Sequence, residues 1–284
     1  MMSEKKPLIL VTNDDGITAH GIRTLVSLMK QLGDVVVVAP DSPQSGMGHA
    51  ITIASPLRLN SVDLYPGTPA YECSGTPADC VKLAKHFVLK DRSPDLVVSG
   101  INHGSNTSIS VLYSGTMSAA IEAAIEGIPA IGFSLCDYAH DPDFSHTHDH
   151  ILKIAGHALE NGIPKGVTLN VNFPAKSEKP LGEIRICRQA DARWQEEFDQ
   201  RKDPYGRSYF WMSGKFVNND TGEDTDEYAL SQNCTSVVPC QLDLTDYKSL
   251  TDLKSWNINE RSSAIPAPES VDLNESIEPV RQPS

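Results

Sequence analysis

Residues 8–38 read LILVTNDDGITAHGIRTLVSLMKQLGDVVVV. Leu8-Ile9-Leu10-Val11 is an unbroken apolar run, the pattern of a strand buried on both faces. Ile22, Leu25, Val26, Met29 and Leu32 then recur at helical spacing, Gly33 closes the helix, and Val35 to Val38 is a second buried run. Two wholly apolar strands separated by an amphipathic helix predict a parallel pair, and the alternation continues outward. Thr76-Pro77-Ala78-Asp79 has an N-cap, a proline suited to the first helical position and an acid that completes a capping box. Asp95–Ser99, Ala130–Leu135, Val167–Asn172 and Ile184–Arg188 read as strands, and His148–Glu160 as a helix. Thr116–Glu126 reads as a helix with Met117, Ala120, Ile121, Ala124 and Ile125 on one face, stopped by Gly127 and Pro129. The fold class is therefore α/β, a mostly parallel sheet with helices on both faces. Ligands of such sheets bind beyond the carboxyl ends of the strands, so chemistry is expected in the loops that follow them.

The character changes near Gln189. Residues 189–233 carry Trp194, Tyr205, Tyr209, Phe210 and Trp211 with little helical period, which suggests an extended antiparallel or irregular arm. Exposed aromatics there would serve subunit contacts or a local satellite cluster. Thr235–Leu244 returns as a strand. The expected organisation is a core over 1–188, an arm with the returning C-terminal segment over 189–257, and a mobile, Pro-, Ser- and Glu-rich tail over 258–284.

The 284 residues are 39% hydrophobic and 21% charged, which excludes global disorder and supports a sizeable core. A net charge of −13 argues against binding to nucleic-acid backbones, so no nucleic-acid polymer is expected as a partner. No run is long enough to span a bilayer, and Leu8–Val11 is too short for a secretory signal, so no membrane partner is expected. Six cysteines without a CxxC pair read as reduced thiols of a cytoplasmic protein, and a structural zinc site is not expected.

Three strand-end loops carry the chemistry. The first is Asn13-Asp14-Asp15-Gly16, two adjacent carboxylates that a divalent cation would reconcile; the plainer alternative is an Asx-rich turn. The second, Ala39 to Gly46, offers the Ser45 hydroxyl, while Asp41 reads as a turn cap. The third, Gly100 to Asn106, offers the amides of Asn102 and Asn106. Ser114-Gly115-Thr116 then opens a helix, an anion site as much as a cap. Neither Lys nor Arg stands in these loops, so a metal and backbone N–H groups would have to neutralise a phosphate. The set suits metal-assisted hydrolysis of a phosphate ester. The rivals are an Asp-nucleophile phosphotransferase, which usually shows Asp-x-Asp, and a non-catalytic nucleotide-binding or receiver-like module. A receiver would need a third Asp where Ser99-Gly100 stands, and a later Lys. His146 and His150, four apart, read as a solvated helix start outside the site.

Together, Asn13-Asp14-Asp15-Gly16, Ser45-Gly46, Gly75 to Val81, Ser99-Gly100-Ile101-Asn102, Tyr113-Ser114-Gly115-Thr116, Leu169 to Pro174 and Ser236 to Pro239 resemble the stationary-phase survival protein SurE family over residues 7–250. The resemblance implies a Rossmann-like, doubly wound core with a swapped C-terminal β-type oligomerisation arm, assembled as a homodimer or homotetramer. It implies a 5′-nucleotidase, a phosphoric monoester hydrolase that releases phosphate from nucleoside 5′-monophosphates and in some members from 3′-monophosphates or short polyphosphate. One divalent metal per subunit, Mg²⁺ or Mn²⁺, would be held by Asp14, Asp15, Ser45 and Asn102. Asn106 and Ser114-Gly115-Thr116 would face the substrate, with Asp14, Asn106 and Ser114 as catalytic residues. Ser108 and Ser110 stand where the family often has Gly and Asp. A carboxylate sometimes assigned to catalysis is thus missing, and His49 and His103 are the neighbouring proton-transfer candidates.

Overall fold

The computed structural model describes residues 6–139, 141–256 and 258. The chain divides after Asp243 into two units. In the first, β1 (Leu8–Thr12) is followed by α1 (His20–Met29), β2 (Asp34–Pro40), β3 (Leu59–Val62), β4 (Ala70–Cys73), α2 (Pro77–Leu83), β5 (Leu96–His103) and α3 (Gly115–Ile125). Then come β6 (Ala130–Cys136), α4 (His148–Asn161), β7 (Val167–Pro174), β8 (Ile184–Ile186), β9 (Ala192–Lys202), β10 (Ser208–Asn218), α5 (Asp226–Ser231) and β11 (Thr235–Gln241). The second unit contains α6 (Tyr247–Lys254), an exposed helix capped by Asp246.

The main sheet runs β3-β4-β2-β1-β5-β6-β7-β11-β8. From β4 to β7 all neighbours are parallel, whereas β3 and β11 run antiparallel to β4 and β7. The unbroken apolar runs are explained by the pleat, which sends alternate residues to opposite layers. Ile9 and Val11 pack with Ile22, Leu25, Met29, Ile151 and Ala155 under α1 and α4. Leu8 and Leu10 pack with Val81, Met117, Ala120 and Ala123 under α2 and α3. The chain leaves β1 towards β2 on one side and resumes at β5 on the other, so the strand order reverses between β1 and β5. That crevice is where a doubly wound sheet admits a ligand.

The arm is a regular hairpin: β9 pairs with β10 from Ala192 opposite Asn218 to Lys202 opposite Ser208. Phe198, Phe210, Trp211 and Met212 stand exposed on it. The segment between Asp226 and Ser231 is helical rather than extended, since Thr225 caps it by accepting from Tyr228 N. The strand expected over 184–188 stops at Ile186, and Arg188 makes only a bridge to Thr225. Ile125 is exposed at the end of α3, while Ser118 and Glu122 are buried on it. Asn102 lies within β5 rather than in a loop, because the strand resumes after a register shift between Ser99 and Asn102, with Gly100 at φ +127°. The stretch 259–284 of the expected tail lies outside the described residues. Among the described residues no helix is long and apolar enough to cross a membrane.

Candidate active site

The end of β1 is turned sharply by Gly16 at φ +95°, and Asn13 Nδ2 donates to Gly16 O at 2.9 Å across the turn. Gln44 N donates to Asp14 O at 2.7 Å, so the Ser45 loop is tied directly to the Asp14 loop. Asp14 is buried, with only 4% exposed, and its Oδ1 accepts the Thr116 hydroxyl at 2.5 Å. Burial foremost, and then the neighbouring Asp15 charge, push its carboxyl up to about 6 against the opposing Thr116 hydrogen bond. Asp15 is half-buried; burial raises it as well, tempered by the His103 backbone N–H, which donates to Oδ2 at 3.3 Å.

α3 aims its N-terminus at this pair. Ser114 caps it by accepting from Met117 N at 3.0 Å, and the Thr116 backbone N–H joins its hydroxyl in donating to Asp14, which leaves the Gly115 N–H without an intrahelical partner. Gly115 is required by packing: a Cβ there would lie 2.6 Å from the Asp14 Cβ. A cleft of about 230 Å³ opens at this point, and Asp14, Ser45, Asn102, Asn106, Ser114 and Gly115 all line it. His103, Ser110, Tyr113, Tyr138 and Trp194 complete much of the wall.

Asn102 Nδ2 donates to Gly104 O at 2.8 Å, and its Oδ1 has no hydrogen-bond partner among the described residues. Asn106 is held from behind: its backbone N–H donates to Asn172 Oδ1 at 2.9 Å, its Nδ2 to Ser134 Oγ at 2.8 Å, and its carbonyl accepts from Asn170 at 2.8 Å. Asn172 in turn donates to Asn170 Oδ1. Thr116 does not line the cleft; its hydroxyl is spent on Asp14. Asp15 adjoins through the His103 backbone. His49 lies off the cleft, its Nε2 2.9 Å from Glu122 Oε2. Asp41 accepts from Ser42 in its own exposed turn. His146 and His150 have separate partners, Pro174 O and Thr235 Oγ1.

Ser108 takes φ +52°, the left-handed region in which glycine is at ease. Its side chain compensates by donating to the carbonyl of Ala190 and accepting from Ala192 N. Its backbone N–H is held by buried Asp226 at 2.8 Å.

The residues present fit a hard divalent cation. Two adjoining carboxylates have no ion-pair partner among the described residues, and the unpartnered Asn102 amide oxygen and the Ser45 hydroxyl supply neutral oxygens. Among the described residues no cluster of three or more His, Cys, Asp or Glu side chains forms a softer or more highly charged cage. The support given by Thr116, Ser134, Asn170 and Asn172, and the aromatic wall of Tyr113, Tyr138 and Trp194, were not anticipated. The signal for the asparagines was available, since both sit in β7 at buried positions where an apolar side chain would be ordinary.

Comparison with known proteins agrees with this architecture. The family described as Survival protein SurE matches residues 9–196. A 5′-nucleotidase SurE of Cytophaga hutchinsonii is 69% identical over 252 residues, covering 88% of this chain and 97% of that protein. One of Christiangramia forsetii is 61% identical over 261 residues, covering 91% and 100%. A crystal structure of the SurE protein from Aquifex aeolicus superposes with a TM-score of 0.76 at 37% identity, over 88% of this chain and 99% of that one.

Proposed function

The chain belongs to the SurE survival-protein family, and from that premise we propose that it is a 5′-nucleotidase hydrolysing nucleoside 5′-monophosphates to nucleoside and phosphate. The observation that carries the reading is the pair of buried Asp14 and half-buried Asp15 at the crevice between β1 and β5, faced by the N-terminus of α3. Asp14, Asp15, Ser45 and Asn102 would hold a divalent metal, Mg²⁺ or Mn²⁺. When bound, the metal supplies positive charge to the phosphoryl group and to the attacking water.

The chain's own groups do the rest. The Gly115 N–H at the start of α3 and the Ser114 hydroxyl, both on the cleft, would receive the phosphoryl oxygens. Thr116 fixes the carboxylate of Asp14, and Gly115 lets the helix come close enough to do so. Asn106, locked from behind by Asn172, Ser134 and Asn170, presents its amide at the cleft wall. Of the two histidine candidates only His103 lines the cleft, and it would hand a proton to the departing ester oxygen. Water attacks phosphorus, the ester P–O bond breaks and the nucleoside leaves with that proton, while one proton of the water stays on the phosphate and the other returns to His103.

Two further readings are ours. The exposed aromatics of the β9–β10 hairpin support assembly as a homodimer or homotetramer. Six unpaired cysteines support a cytoplasmic location.

The test is phosphate release from a panel of nucleoside monophosphates with EDTA, then with Mg²⁺ or Mn²⁺ restored. Release that EDTA stops and metal restores is expected. Absence of release from every nucleotide with either metal would refute the reading.

A further inference from the structure

The cleft of about 230 Å³ at Asp14 adjoins a larger one of about 1170 Å³, set between the turn Ser108–Tyr113 and the root of the β9–β10 arm. Tyr113 and Trp194 line both. The passage from anion-binding to aromatic surface is abrupt, because Ser114 caps α3 and the preceding residue is Tyr113. Large aromatic side chains are usually mostly buried, yet Tyr113 is 61% and Trp194 44% exposed.

Neither residue hangs loose. Trp194 stands opposite Phe216 in the hairpin register, and the two rings meet edge to face at 5.8 Å and 65°. Tyr113 is fixed through its carbonyl, which accepts from Gly48 N at 3.2 Å. Beyond them the larger cleft is lined by Ile109, Met212, Gln195 and Asn219, among others. A monophosphate anchored at Ser114 and Gly115 must project its remaining part somewhere, and the larger cleft adjoins that of the anchor through the shared residues Tyr113 and Trp194.

We propose that Tyr113 and Trp194 form the platform on which the nucleobase of the substrate lies. This rests on the nucleotidase reading above and deepens it. Stacking on an aromatic face tolerates every base, since each has a π-face, so the platform selects nucleotides over other phosphate esters and discriminates weakly among bases.

The test compares a nucleoside 5′-monophosphate with ribose 5-phosphate, which keeps the sugar and phosphate but lacks the base. Trp194→Ala and Tyr113→Ala should each lower the ratio of kcat/KM for nucleotide over ribose 5-phosphate by about ten- to a hundredfold, chiefly through KM, and Trp194→Phe should retain most of it. Equal losses on both substrates, or an unchanged ratio, would overturn the platform. A shift of oligomeric state accompanying equal losses would assign the pair to a subunit contact instead. A wild-type protein that hydrolyses both substrates equally well would refute the platform and leave a general phosphomonoesterase. Should the wild type hydrolyse neither, the nucleotidase reading falls, and the platform is decided by binding of adenosine 5′-monophosphate. Calorimetric binding lost in Trp194→Ala and kept in Trp194→Phe would support it, and binding indifferent to both would refute it.

Discussion

A Cβ on residue 115 would lie 2.6 Å from the Cβ of Asp14 and 2.8 Å from its Oδ2. The first turn of α3 therefore presses against a buried carboxylate with no room for a methyl group, and a side chain at 115 must displace Asp14. Gly115→Ala should lower kcat by roughly a hundredfold, the scale of an ångström's misplacement at a reacting centre, and lower stability by about 1–3 kcal/mol from overpacking. Steady-state kinetics with metal at saturation, alongside thermal denaturation, check this. Activity within threefold of wild type would show that Asp14 tolerates the shift and is not a ligand held to close geometry.

The Asp14 carboxyl, raised to about 6 by burial and by Asp15, gives the metal-free protein a pH signature. Its native pKa lies above the unfolded value near 3.8, so the native state holds an extra proton between the two. The stabilisation this group gives is present in full below about pH 4 and is lost as pH rises through about 6. A metal must displace the proton, so its affinity should fall about tenfold for each pH unit below 6. The rise in Tm on adding Mn²⁺ should accordingly be larger at pH 7.5 than at pH 5. An equal or larger rise at pH 5 would mean that Asp14 does not take part in binding.

Glu122, buried on α3, accepts from His49 at 2.9 Å and from Lys82 at 2.6 Å. Burial pushes its carboxyl up, but these two partners outweigh burial and leave it below the ordinary glutamate value. His49 lies four residues beyond Ser45, and the same loop is further held by Gly48 N on Tyr113 O and by Thr52 N on Asp79. Glu122→Ala should cost about 1–3 kcal/mol, since the Lys82 and His49 it abandons are left with access to solvent. Glu122→Gln keeps the shape and should cost less, while weakening metal binding through a looser Ser45. Chemical denaturation and metal titration separate the two effects; unaltered metal affinity in Glu122→Gln would disconnect this strut from Ser45.

How far the site could be read from the chain depends on distance along it. Buried strands announce themselves as unbroken apolar runs, and a doubly wound sheet gathers strand-end loops at one edge, so Asp14, Ser45, Asn106 and Ser114 could be grouped without coordinates. The capping box of Thr76 and Asp79 was equally local. Thr116 was harder: in sequence it belongs to an anion-binding helix start, and only the crossing of α3 over the end of β1 turns its hydroxyl to Asp14. Asn102 was placed in a loop because Gly100 reads as punctuation, whereas the strand bulges there and continues. The β3–β4 hairpin left little trace, since β3 is an edge strand without a buried face. Trp194 reaches the cleft through the arm, and nothing near it in sequence signals that contact.

Asp226 is the point at which the arm and the cleft are joined. It is fully buried; Oδ2 accepts from Ser108 N at 2.8 Å, and Oδ1 accepts from Ala190 N at 3.0 Å and Glu227 N at 2.9 Å. One carboxylate thus holds the root of β9, the start of α5 and the residue two beyond Asn106. Ser108 can keep its φ of +52° only while it is held from both sides, by Asp226 and by its own hydroxyl on the 190–192 backbone. Asp226→Ala would strand these N–H donors, and a cost of about 2–4 kcal/mol is expected. Asp226→Asn preserves the volume and one acceptor oxygen, and should lose about half as much. Because Ser108 leads into Ser110 and Tyr113 on the cleft wall, KM for nucleotide should rise in Asp226→Asn while the metal affinity set at Asp14 holds. Denaturation curves, kinetics and metal titration on the two variants test this together. A variant that lost metal affinity and kept KM would place the coupling at the carboxylate pair rather than at the substrate wall.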